Sequence, residues 1–586
     1  MKSERIIRRP VWAPGTRKET DAMRPDVEDF YNGISFDCFR LLGAHPAAEG
    51  WRFTVWAPHA MRVQVLGDWN GWNLYRPDEL CFCEDGLWRG TAPAARHGQC
   101  YKYNILCADG VWRLRADPFA AAFESLPGTG CLLTEPTEPV SALRRPWYSG
   151  PVSIYELHAG SWRRHWDGRY YTGPELAETL IPWLLAHHYT HVEFLPLAEH
   201  PFDGSWGYQG VGYFSVTARI GGLAGFTALT KALHAAGIGV LMDFVPVHFA
   251  PDEGFLSNFD GTPLFESGAS DWGSLNFNLA SPPVRSFLLS AAAFWLQVCG
   301  CDGLRVDAVG NALYRDPAGG GAAAEFFQTL TAGLHARFPG ALLAAEDTAG
   351  LLNATSPTEW GGLGFDFVWD PGWSYDALAL FCAPPAARGA AALRLHHGLD
   401  TCWHARRINA LSHDDCADHG GGLTARLWGD ASAKRAQMRL LTLLQAARPG
   451  GMLRFMGVDM GVWRPFSPWR ELDWGILADP EHLSLSKYSA ALGAFYAEHP
   501  ALWDGGDERE RFAWARRDTV FGWVRYGDTE ALLCAFNPLP EPQSARFDLC
   551  GYRRAVPLFT TGFEAHPCGG EMYLPGFAGA VYRLER

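Results

Sequence analysis

The chain has 586 residues, of which 48% are hydrophobic and 19% are charged, a composition that supports a large buried core and excludes wholesale disorder. Its formal net charge is −14 without any sustained Lys/Arg block. That balance argues against a nucleic-acid partner, because such binding depends on phosphate neutralisation. No apolar run is long enough to span a bilayer, so we expect no membrane partner. The length suggests about two to four domains.

The cysteines and the start of the chain indicate a compartment. The 14 cysteines form no CxxC motif and no Cys/His pattern with zinc spacing. Scattered thiols of this kind are typical of a reducing environment. The opening stretch, MKSERIIRRPVWAPG, lacks the apolar segment of a signal peptide. We therefore expect a cytoplasmic protein without a metal site.

The first 145 residues divide into two parts. Residues 1–45 are polar and contain prolines, which predicts an extended or loosely packed N-terminal arm. Residues 46–145 contain short alternating runs separated by turn residues, among them WRFTVWAP, RVQVLGDWNGW, LWRGTAP and QCYKYNILC. This pattern predicts a small N-terminal β-sandwich.

Residues 146–495 change to apolar runs that alternate with helical stretches, which predicts an α/β fold with a parallel sheet. The eight candidate strands lie in SIYELH, THVEFLPL, GVLMDFVPVH, DGLRVDAV, ALLAAED, FDFVWD, INALSHDD and MLRFMG. Eight such units favour a (β/α)8 TIM barrel with one long insertion after the third strand. A doubly wound open sheet is the alternative, but no GxGxxG follows the first strand.

Residues 496–586 return to strand-like runs, including TVFGWVRYG, EALLCAFNPL, RFDLCGY and GAVYRLER. They predict a C-terminal β-sandwich after the barrel. The chain also contains 25 tryptophans, whose flat apolar rings suit the apolar faces of sugars, although core packing is the commoner use of any one of them.

Charged and polar side chains occur at the carboxyl ends of several predicted strands, where a (β/α)8 barrel carries its active site. They are Asp243, His248, Arg305, Asp307, Glu346, His413 and Asp414. Each alone is explained as a helix cap, a salt bridge or a satisfied core histidine. Three carboxylates after strands four, five and seven, beside an arginine and two histidines, favour an active site. Such a set could bind a metal or cleave a glycosidic bond.

The neighbours of two carboxylates favour glycosidic chemistry. Retaining cleavage needs one ionised carboxylate and one protonated carboxyl group about 5–5.5 Å apart. Arg305 lies two residues before Asp307, hence on the same strand face, and its charge lowers the pKa of that carboxyl group. Glu346 follows the apolar stretch LLAA, a setting that raises its pKa.

Four stretches, DFVPVH, GLRVDAV, AAED and LSHDD, resemble the conserved regions of the α-amylase superfamily, glycoside hydrolase family 13, in order and at the expected strands. The resemblance implies that Asp307 is the nucleophile, Glu346 the general acid/base and Asp414 the transition-state stabiliser. It also implies a sugar-donor subsite lined by Asp243, His248, Arg305 and His413.

Within that superfamily the chain most resembles glycogen (1,4-α-glucan) branching enzymes, through RLLGAHP, YELHAGSWRR, DGSWGYQGVGYF, DWGSLNFN and LDWGIL. The resemblance implies that Tyr208 of WGYQ stacks on the donor sugar. It further implies a family 48 carbohydrate-binding module at residues 46–145, no cofactor, a monomer, and α-1,4-glucan substrates such as glycogen, amylose and malto-oligosaccharides.

Two other functions stay open at this point. One is an α-glucan hydrolase on the same scaffold, either a malto-oligosyltrehalose trehalohydrolase or an amylase-like enzyme. The other is a non-catalytic glucan-binding protein. The chain also departs from the branching-enzyme pattern at Asp415, Val458 and Asp459, and in the short Ala/Gly-rich loop RDPAGGGAAAEFF after strand four. We expect these departures to lie around the mouth of the site.

Overall fold

The computed structural model describes residues 27–143, 150–315, 321–351, 353–505 and 508–586. All eight runs predicted as barrel strands form strands, and they close into a parallel barrel in chain order. The predicted (β/α)8 barrel is confirmed, and the doubly wound alternative is wrong because the first and eighth strands pair with each other. The barrel region and its loops contain β9 (Ser153–Leu157), β10 (His191–Phe194), β11 (Ala198–Glu199), β12 (Gly212–Val216), β13 (Gly239–Phe244), β14 (His248–Phe249), β15 (Glu266–Ala269), β16 (Leu275–Phe277), β17 (Gly303–Val306), β18 (Leu342–Glu346), β19 (Phe367–Asp370), β20 (Arg407–Leu411) and β21 (Gly451–Phe455).

The barrel strands are β9, β10, β13, β17, β18, β19, β20 and β21. They are apolar along most of their length because helices cover the outside and side chains fill the inside. Inside, a separate hydrophobic cluster draws on several strands, including Ile154, Leu241, Leu342, Trp369 and Leu453. This packing leaves the carboxyl ends of all eight strands at one face of the barrel.

Helices connect the strands and surround the barrel. The described helices are α1 (Val27–Asn32), α2 (Ala159–Trp162), α3 (Gly173–Ala186), α4 (Gly222–Ala235), α5 (Pro282–Gln297), α6 (Val309–Arg315), α7 (Gly321–Arg337), α8 (Pro371–Cys382), α9 (Arg388–Thr401), α10 (His413–Cys416), α11 (Leu423–Arg426), α12 (Ala431–Ala447) and α13 (Pro480–Glu498). Helix α3 shows how the local sequence fixes a start, because Glu175 accepts a 2.7 Å hydrogen bond from the Thr172 N–H in a capping box. No described helix combines the length and apolar character needed to cross a bilayer.

Two small accessory sheets lie at the face of the barrel where the strands have their carboxyl ends. Strands β11 and β12 pair in antiparallel fashion and carry the loop that contains Tyr208 between them. Strands β14, β16 and β15 form a three-stranded sheet in the insertion after β13, where the sequence predicts a long insertion. Residues 316–320 of the Ala/Gly-rich loop after β17 lie outside the described residues.

The N-terminal module contains β1 (Gly43–Pro46), β2 (Trp51–Val55), β3 (Arg62–Gly67), β4 (Asp78–Phe82), β5 (Trp88–Ala92), β6 (Cys100–Leu106), β7 (Trp112–Arg115) and β8 (Cys131–Leu132). Strands β1 to β7 form one continuous antiparallel path in which β2 and β6 are not neighbours, and β8 pairs with β6 off this path. Phe53 of β2 nevertheless lies 5.3 Å from Tyr101 of β6, measured between ring centroids. The sheet therefore folds over its own core, as in the predicted sandwich.

The C-terminal module contains β22 (Phe512–Arg516), β23 (Phe521–Tyr526), β24 (Ala531–Asn537), β25 (Gln543–Arg546), β26 (Arg554–Thr560), β27 (Glu571–Leu574) and β28 (Ala578–Glu585). A five-stranded and a two-stranded antiparallel sheet share one core, to which Val524, Leu533 and Met572 contribute. The boundary predicted between residues 495 and 496 falls inside α13, which ends at Glu498.

Residues 43–45 of the predicted arm belong to β1 of the N-terminal module, whereas residues 27–42 pack against the barrel. Phe30 of α1 is fully buried, and the Ser290 hydroxyl of α5 accepts a 3.1 Å hydrogen bond from the Cys38 N–H. This part of the arm is therefore held in place by the outside of the barrel and is not loosely packed. Residues 1–26 and the predicted boundary at residues 145/146 lie outside the described residues.

Candidate active site

The carboxyl ends of the barrel strands bring the predicted site residues together at one mouth. Asp243 is the penultimate residue of β13 and pairs in register with Arg305 of β17. Glu346 ends β18, and α10, which opens with His413, follows β20 directly. Side chains far apart in the sequence thus meet because parallel strands end at the same edge.

Arg305 is the centre of this arrangement. Its side chain is 1% exposed, and Nη1 donates hydrogen bonds of 2.7 Å to Asp243 Oδ1 and 2.8 Å to Asp307 Oδ1. Its Nη2 lies 3.1 Å from Glu346 Oε2, and its guanidinium carbon lies 4.7 Å from the centroid of the Trp369 ring. One buried cation therefore faces three carboxyl groups, a setting in which they do not all ionise with equal ease.

Asp307 is the ionised member of the group. Burial alone would raise the pKa of Asp307, but a hydrogen bond from His248 and the charge of Arg305 lower it below its usual value. His248 Nε2 lies 3.5 Å from Asp307 Oδ2, on the opposite side from Arg305. A charged carboxylate held from two sides is suited to nucleophilic attack.

Glu346 is the protonated member. Burial raises its pKa to about 7. The positive charge of Arg305 lowers this pKa, and the negative charge of Asp307 offsets part of that lowering. Its Oε2 also accepts a 2.8 Å hydrogen bond from the Ala308 N–H. Ala308 has φ +54°, a left-handed conformation that residues other than glycine rarely adopt, and such strain is concentrated at functional sites.

Tyr208 contacts both Asp243 and His413 at the mouth of the barrel. Its hydroxyl donates a 2.5 Å hydrogen bond to Asp243 Oδ2 and lies 3.1 Å from His413 Nε2. The Tyr208 and His413 rings stack with centroids 5.4 Å apart. Tyr208 and Arg305 each donate a hydrogen bond to a different oxygen of Asp243, so Asp243 holds both side chains in place.

Asp414 differs from the other carboxylates in its exposure. Its side chain is 61% exposed, and its Oδ1 lies 3.5 Å from His413 Nε2. Asp307 and Glu346 have side chains only 10% and 13% exposed. Asp414 is therefore the carboxylate of the three that is most open to hydrogen bonding by a bound molecule.

Sequence reasoning missed Glu156, which holds His413 from the first strand. Glu156 Oε1 lies 2.5 Å from His413 Nδ1, and Oε2 accepts a 2.8 Å hydrogen bond from the His413 N–H. Burial alone would lower the pKa of His413, but the charges of Asp414 and Glu156 raise it to about 10. The signal was present in SIYELH, where a glutamate interrupts an apolar strand as Arg305 does on the fourth strand.

Glu193 is a second buried carboxyl group that was missed, in THVEFLPL. It pairs in register with Glu156 on the neighbouring strand, and neither of its oxygens has a hydrogen-bond partner among the described residues. Burial and the charge of Glu156 raise its pKa well above the usual value. Glu193 is therefore a neutral carboxyl group beside the charged Glu156.

Two aromatic residues were also missed. Trp369, at the sixth strand, faces Arg305 as described above. Trp272, in the insertion after β13, lies 4.9 Å from the His248 ring and is 47% exposed. Its position depends on the fold of the insertion, where the Gln209 side chain bonds to the Trp272 carbonyl over 3.4 Å.

Two departures from the branching-enzyme pattern, Asp415 and Asp459, have side chains engaged in hydrogen bonds within the chain; Asp459 is buried and Asp415 is half-buried. Asp415 Oδ2 accepts a 2.9 Å hydrogen bond from the Ser412 N–H in a capping box, and burial raises its pKa to about 6. Asp459 is 1% exposed and accepts a 2.9 Å hydrogen bond from the Trp183 indole. Asp415 therefore caps the start of α10, and Asp459 holds the Trp183 side chain.

Glu156→Gln should weaken the site through His413, which makes Glu156 a positioning residue. Removal of its charge lowers the pKa of His413, so that His413 loses its proton as the pH rises through the lower value. We expect kcat/KM on amylose to fall about tenfold or more through misplacement of His413. We also expect a change in malto-oligosaccharide affinity, measured in an inactive Asp307→Asn background. Affinity should be lost as the pH rises through the pKa of His413, which is about 10 with Glu156 in place and well below 10 in Glu156→Gln.

Glu193→Gln is the matched control, because Glu193 is buried beside Glu156 and is already neutral. It should leave the pH dependence of binding unchanged. An unaltered kcat/KM and pH dependence in Glu156→Gln would show that His413 does not depend on Glu156.

Among the described residues, no group of three or more His, Cys, Asp or Glu side chains has an arrangement that could hold a metal ion. The polar groups at the mouth instead bond to one another, and the arrangement offers an ionised carboxylate, a protonated carboxyl group and an exposed carboxylate. Chemically, this set can combine nucleophilic attack on a carbon atom with proton transfer to or from an oxygen bonded to that carbon.

Comparison with solved structures identifies the fold of the chain. A putative α-amylase from Salmonella typhimurium superposes with a TM-score of 0.73 at 19% identity, covering 93% of this chain and 99% of that chain. A pullulanase from Paenibacillus barengoltzii superposes with a TM-score of 0.74 at 18% identity, covering 93% and 94%. The chain thus has the α-amylase fold. Residues 41–120 match the family of carbohydrate-binding module 48 (isoamylase N-terminal domain).

Curated relatives narrow the class to a family. The 1,4-alpha-glucan branching enzyme GlgB of Dechloromonas aromatica is 38% identical over 574 residues, 91% of each chain. The enzyme of the same name from Pseudomonas aeruginosa is 38% identical and covers 93% of this chain and 80% of its own length. That of Bacillus caldolyticus is 34% identical over 95% and 91%. The chain belongs to the family of 1,4-α-glucan branching enzymes.

Proposed function

We propose that the chain cleaves α-1,4 linkages of a glucan by retaining double displacement and transfers the released segment to a 6-hydroxyl group, forming an α-1,6 branch. The observation that carries the chemistry is the single buried guanidinium of Arg305, shared by an ionised Asp307 and a protonated Glu346. Membership of the branching family favours transfer over the hydrolysis that the same site could perform.

In the first step an Asp307 oxygen attacks the anomeric carbon of the donor glucosyl unit. The bond from that carbon to O4 of the next unit breaks, and the Glu346 proton goes to this O4. A glucosyl ester on Asp307 and a chain with a new non-reducing end result. Attack inverts the anomeric configuration once.

In the second step the Glu346 carboxylate takes the proton of an acceptor 6-hydroxyl group. The freed O6 attacks the same anomeric carbon, the ester bond breaks, and Asp307 leaves as a carboxylate. The second inversion restores the α configuration, so the product is an α-1,6 linkage and both carboxyl groups return to their starting states.

The remaining predicted residues hold the donor sugar. Asp414 is open to accept hydrogen bonds from sugar hydroxyl groups, and the protonated His413 can donate from Nε2. Tyr208 presents its ring beside His413 as a stacking surface. Hydrogen bonds to hydroxyl groups that strengthen in the transition state contribute to the rate in such enzymes.

We further propose glycogen, amylose and malto-oligosaccharides as substrates, in keeping with the names of the branching relatives. The residues assigned above all surround the mouth of one barrel, which supports the proposal that a monomer carries out the reaction. A cytoplasmic location is supported by the 14 cysteines, all of which are free thiols and most of which are buried.

Incubation of the purified protein with amylose separates branching from hydrolysis. Proton NMR should show a growing α-1,6 anomeric signal with few new reducing ends, because each cleavage is followed by transfer to a hydroxyl group. New reducing ends without α-1,6 signal would assign the chain to hydrolysis instead. Inactive Asp307→Asn protein from the same preparation route controls for contaminating amylases.

A further inference from the structure

Two aromatic rings meet in solvent at the rim of the barrel mouth. Phe202 is 53% exposed, Trp469 is 58% exposed, and their ring centroids lie 6.1 Å apart. Phe202 lies in the loop between β11 and β12, and Trp469 in the segment between β21 and α13. A single exposed aromatic ring is ordinary on a protein surface, but a pair brought together from two loops beside a site indicates a binding surface.

The segment that carries Trp469 is held firmly. Arg164, after the first barrel strand, donates hydrogen bonds of 2.5 Å to the Pro468 carbonyl and 2.8 Å to the Gly160 carbonyl. Its guanidinium carbon lies 4.6 Å from the centroid of the Tyr170 ring. Trp469 is therefore presented from backbone anchored at the residue immediately before it.

The loop that carries Phe202 is held by the same network. Asp203, the next residue, accepts hydrogen bonds of 2.9 Å from the Tyr170 hydroxyl and 2.7 Å from Arg219 Nε. Exposed rings on anchored loops lose little conformational freedom when a ligand binds. The pair is thus preorganised rather than a chance contact between loose side chains.

The pair lies on the same two loops as a second aromatic contact that reaches the donor site. In the same two loops, Trp206 and Phe466 form an inner contact with ring centroids 5.1 Å apart. The Trp206 ring also lies 5.8 Å from His413, which borders Tyr208. The two loops that carry Phe202 and Trp469 therefore also carry an aromatic contact that reaches the catalytic mouth.

We propose that Phe202 and Trp469 form an outer subsite that binds a glucosyl unit of the α-1,4-glucan away from the bond that is cleaved. The apolar face of a pyranose ring packs on an aromatic ring while its hydroxyl groups stay in water. A protein partner fits less well, because two rings supply far less area than the roughly 1,000 Å² that a stable interface needs. The subsite rests on the proposed glucan specificity of the mouth.

Binding measured without turnover tests the subsite. In an Asp307→Asn background, Trp469→Leu and Phe202→Leu should each raise the Kd for soluble short-chain amylose about three- to tenfold, the loss expected for one aromatic contact. Trp469→Phe keeps an aromatic face and should stay within about twofold of the parent. Tyr573→Leu, at a 53% exposed ring on β27 of the C-terminal module, is the matched control and should change nothing.

Activity of the same substitutions with Asp307 intact gives an independent readout. KM for amylose should rise by a similar factor with kcat nearly unchanged, because the subsite does not touch the reacting atoms. If both leucine variants keep the parent Kd and KM while their thermal unfolding is normal, the subsite is refuted. If the wild-type protein forms no α-1,6 linkages, the branching proposal fails, yet the binding series in the inactive background still decides the subsite.

Discussion

Asp307→Asn should reduce turnover of amylose by at least about 10⁴-fold, the scale on which loss of an enzymatic nucleophile is felt. Asparagine has nearly the shape of aspartate and can still accept the Arg305 hydrogen bond, but its amide does not form a glucosyl ester. Glucan binding should persist because Tyr208, His413 and Asp414 are untouched. Initial rates of α-1,6 linkage formation, together with a direct binding measurement, check both halves of this prediction.

Asp302→Asn is the matched control for that substitution. Asp302 immediately precedes the same strand at the opposite end of the barrel, is 8% exposed, and accepts a 2.7 Å hydrogen bond from the Val240 N–H. Its replacement should lower stability but leave turnover per folded molecule nearly unchanged. Asp307→Asn protein that retained a substantial fraction of the wild-type rate would remove Asp307 from the role of nucleophile.

Glu346→Gln should lower kcat/KM on amylose by about 10²- to 10⁴-fold, the usual contribution of a general acid/base. It should also change the pH profile. Burial raises the pKa of Glu346 to about 7, and the acid form is required for cleavage. Wild-type activity should therefore be present below this value and fall as the pH rises through about 7, whereas the variant lacks this alkaline limb.

An activated donor, such as an α-maltosyl fluoride, separates loss of the acid from general damage. Fluoride leaves without a proton from the enzyme, so the first step should be far less impaired in Glu346→Gln with this donor than with amylose. Asp347→Asn serves as the neighbouring control, because the Asp347 carboxylate accepts backbone hydrogen bonds, including one of 2.8 Å from the Ala349 N–H. An alkaline limb that persisted in Glu346→Gln would assign it to another group.

The barrel was predictable because its strands are buried on both faces, so that each stands out as a short apolar run between helical stretches. The catalytic candidates were predictable for a related reason. Arg305, Asp307 and Glu346 are charges at the ends of such runs, where burial without a function is unfavourable. Glu156 and Glu193 carry the same physical signal on the first two strands, although neither is among the predicted site residues.

Contacts between loops could not be predicted from the sequence. Nothing local in the segments around Phe202 and Trp469 indicates that they meet. The Trp469 segment is anchored by Arg164 from a third loop, a contact that only the folded chain provides. The sequence likewise does not indicate that Asp414 is exposed while Asp307 is buried. Residue types therefore indicate the chemistry that we propose, whereas the shape of the mouth required the packed chain.

Trapping the covalent intermediate tests the central claim most directly. Glu346→Gln protein incubated with α-maltosyl fluoride should form the glucosyl ester but resolve it slowly, because the base for the second step is missing. Proteolysis and mass spectrometry should then find a maltosyl group on the peptide that contains Asp307, attached to that residue. A maltosyl group on Asp414 or any other side chain, or consumption of the fluoride with no ester on Asp307, would contradict the account.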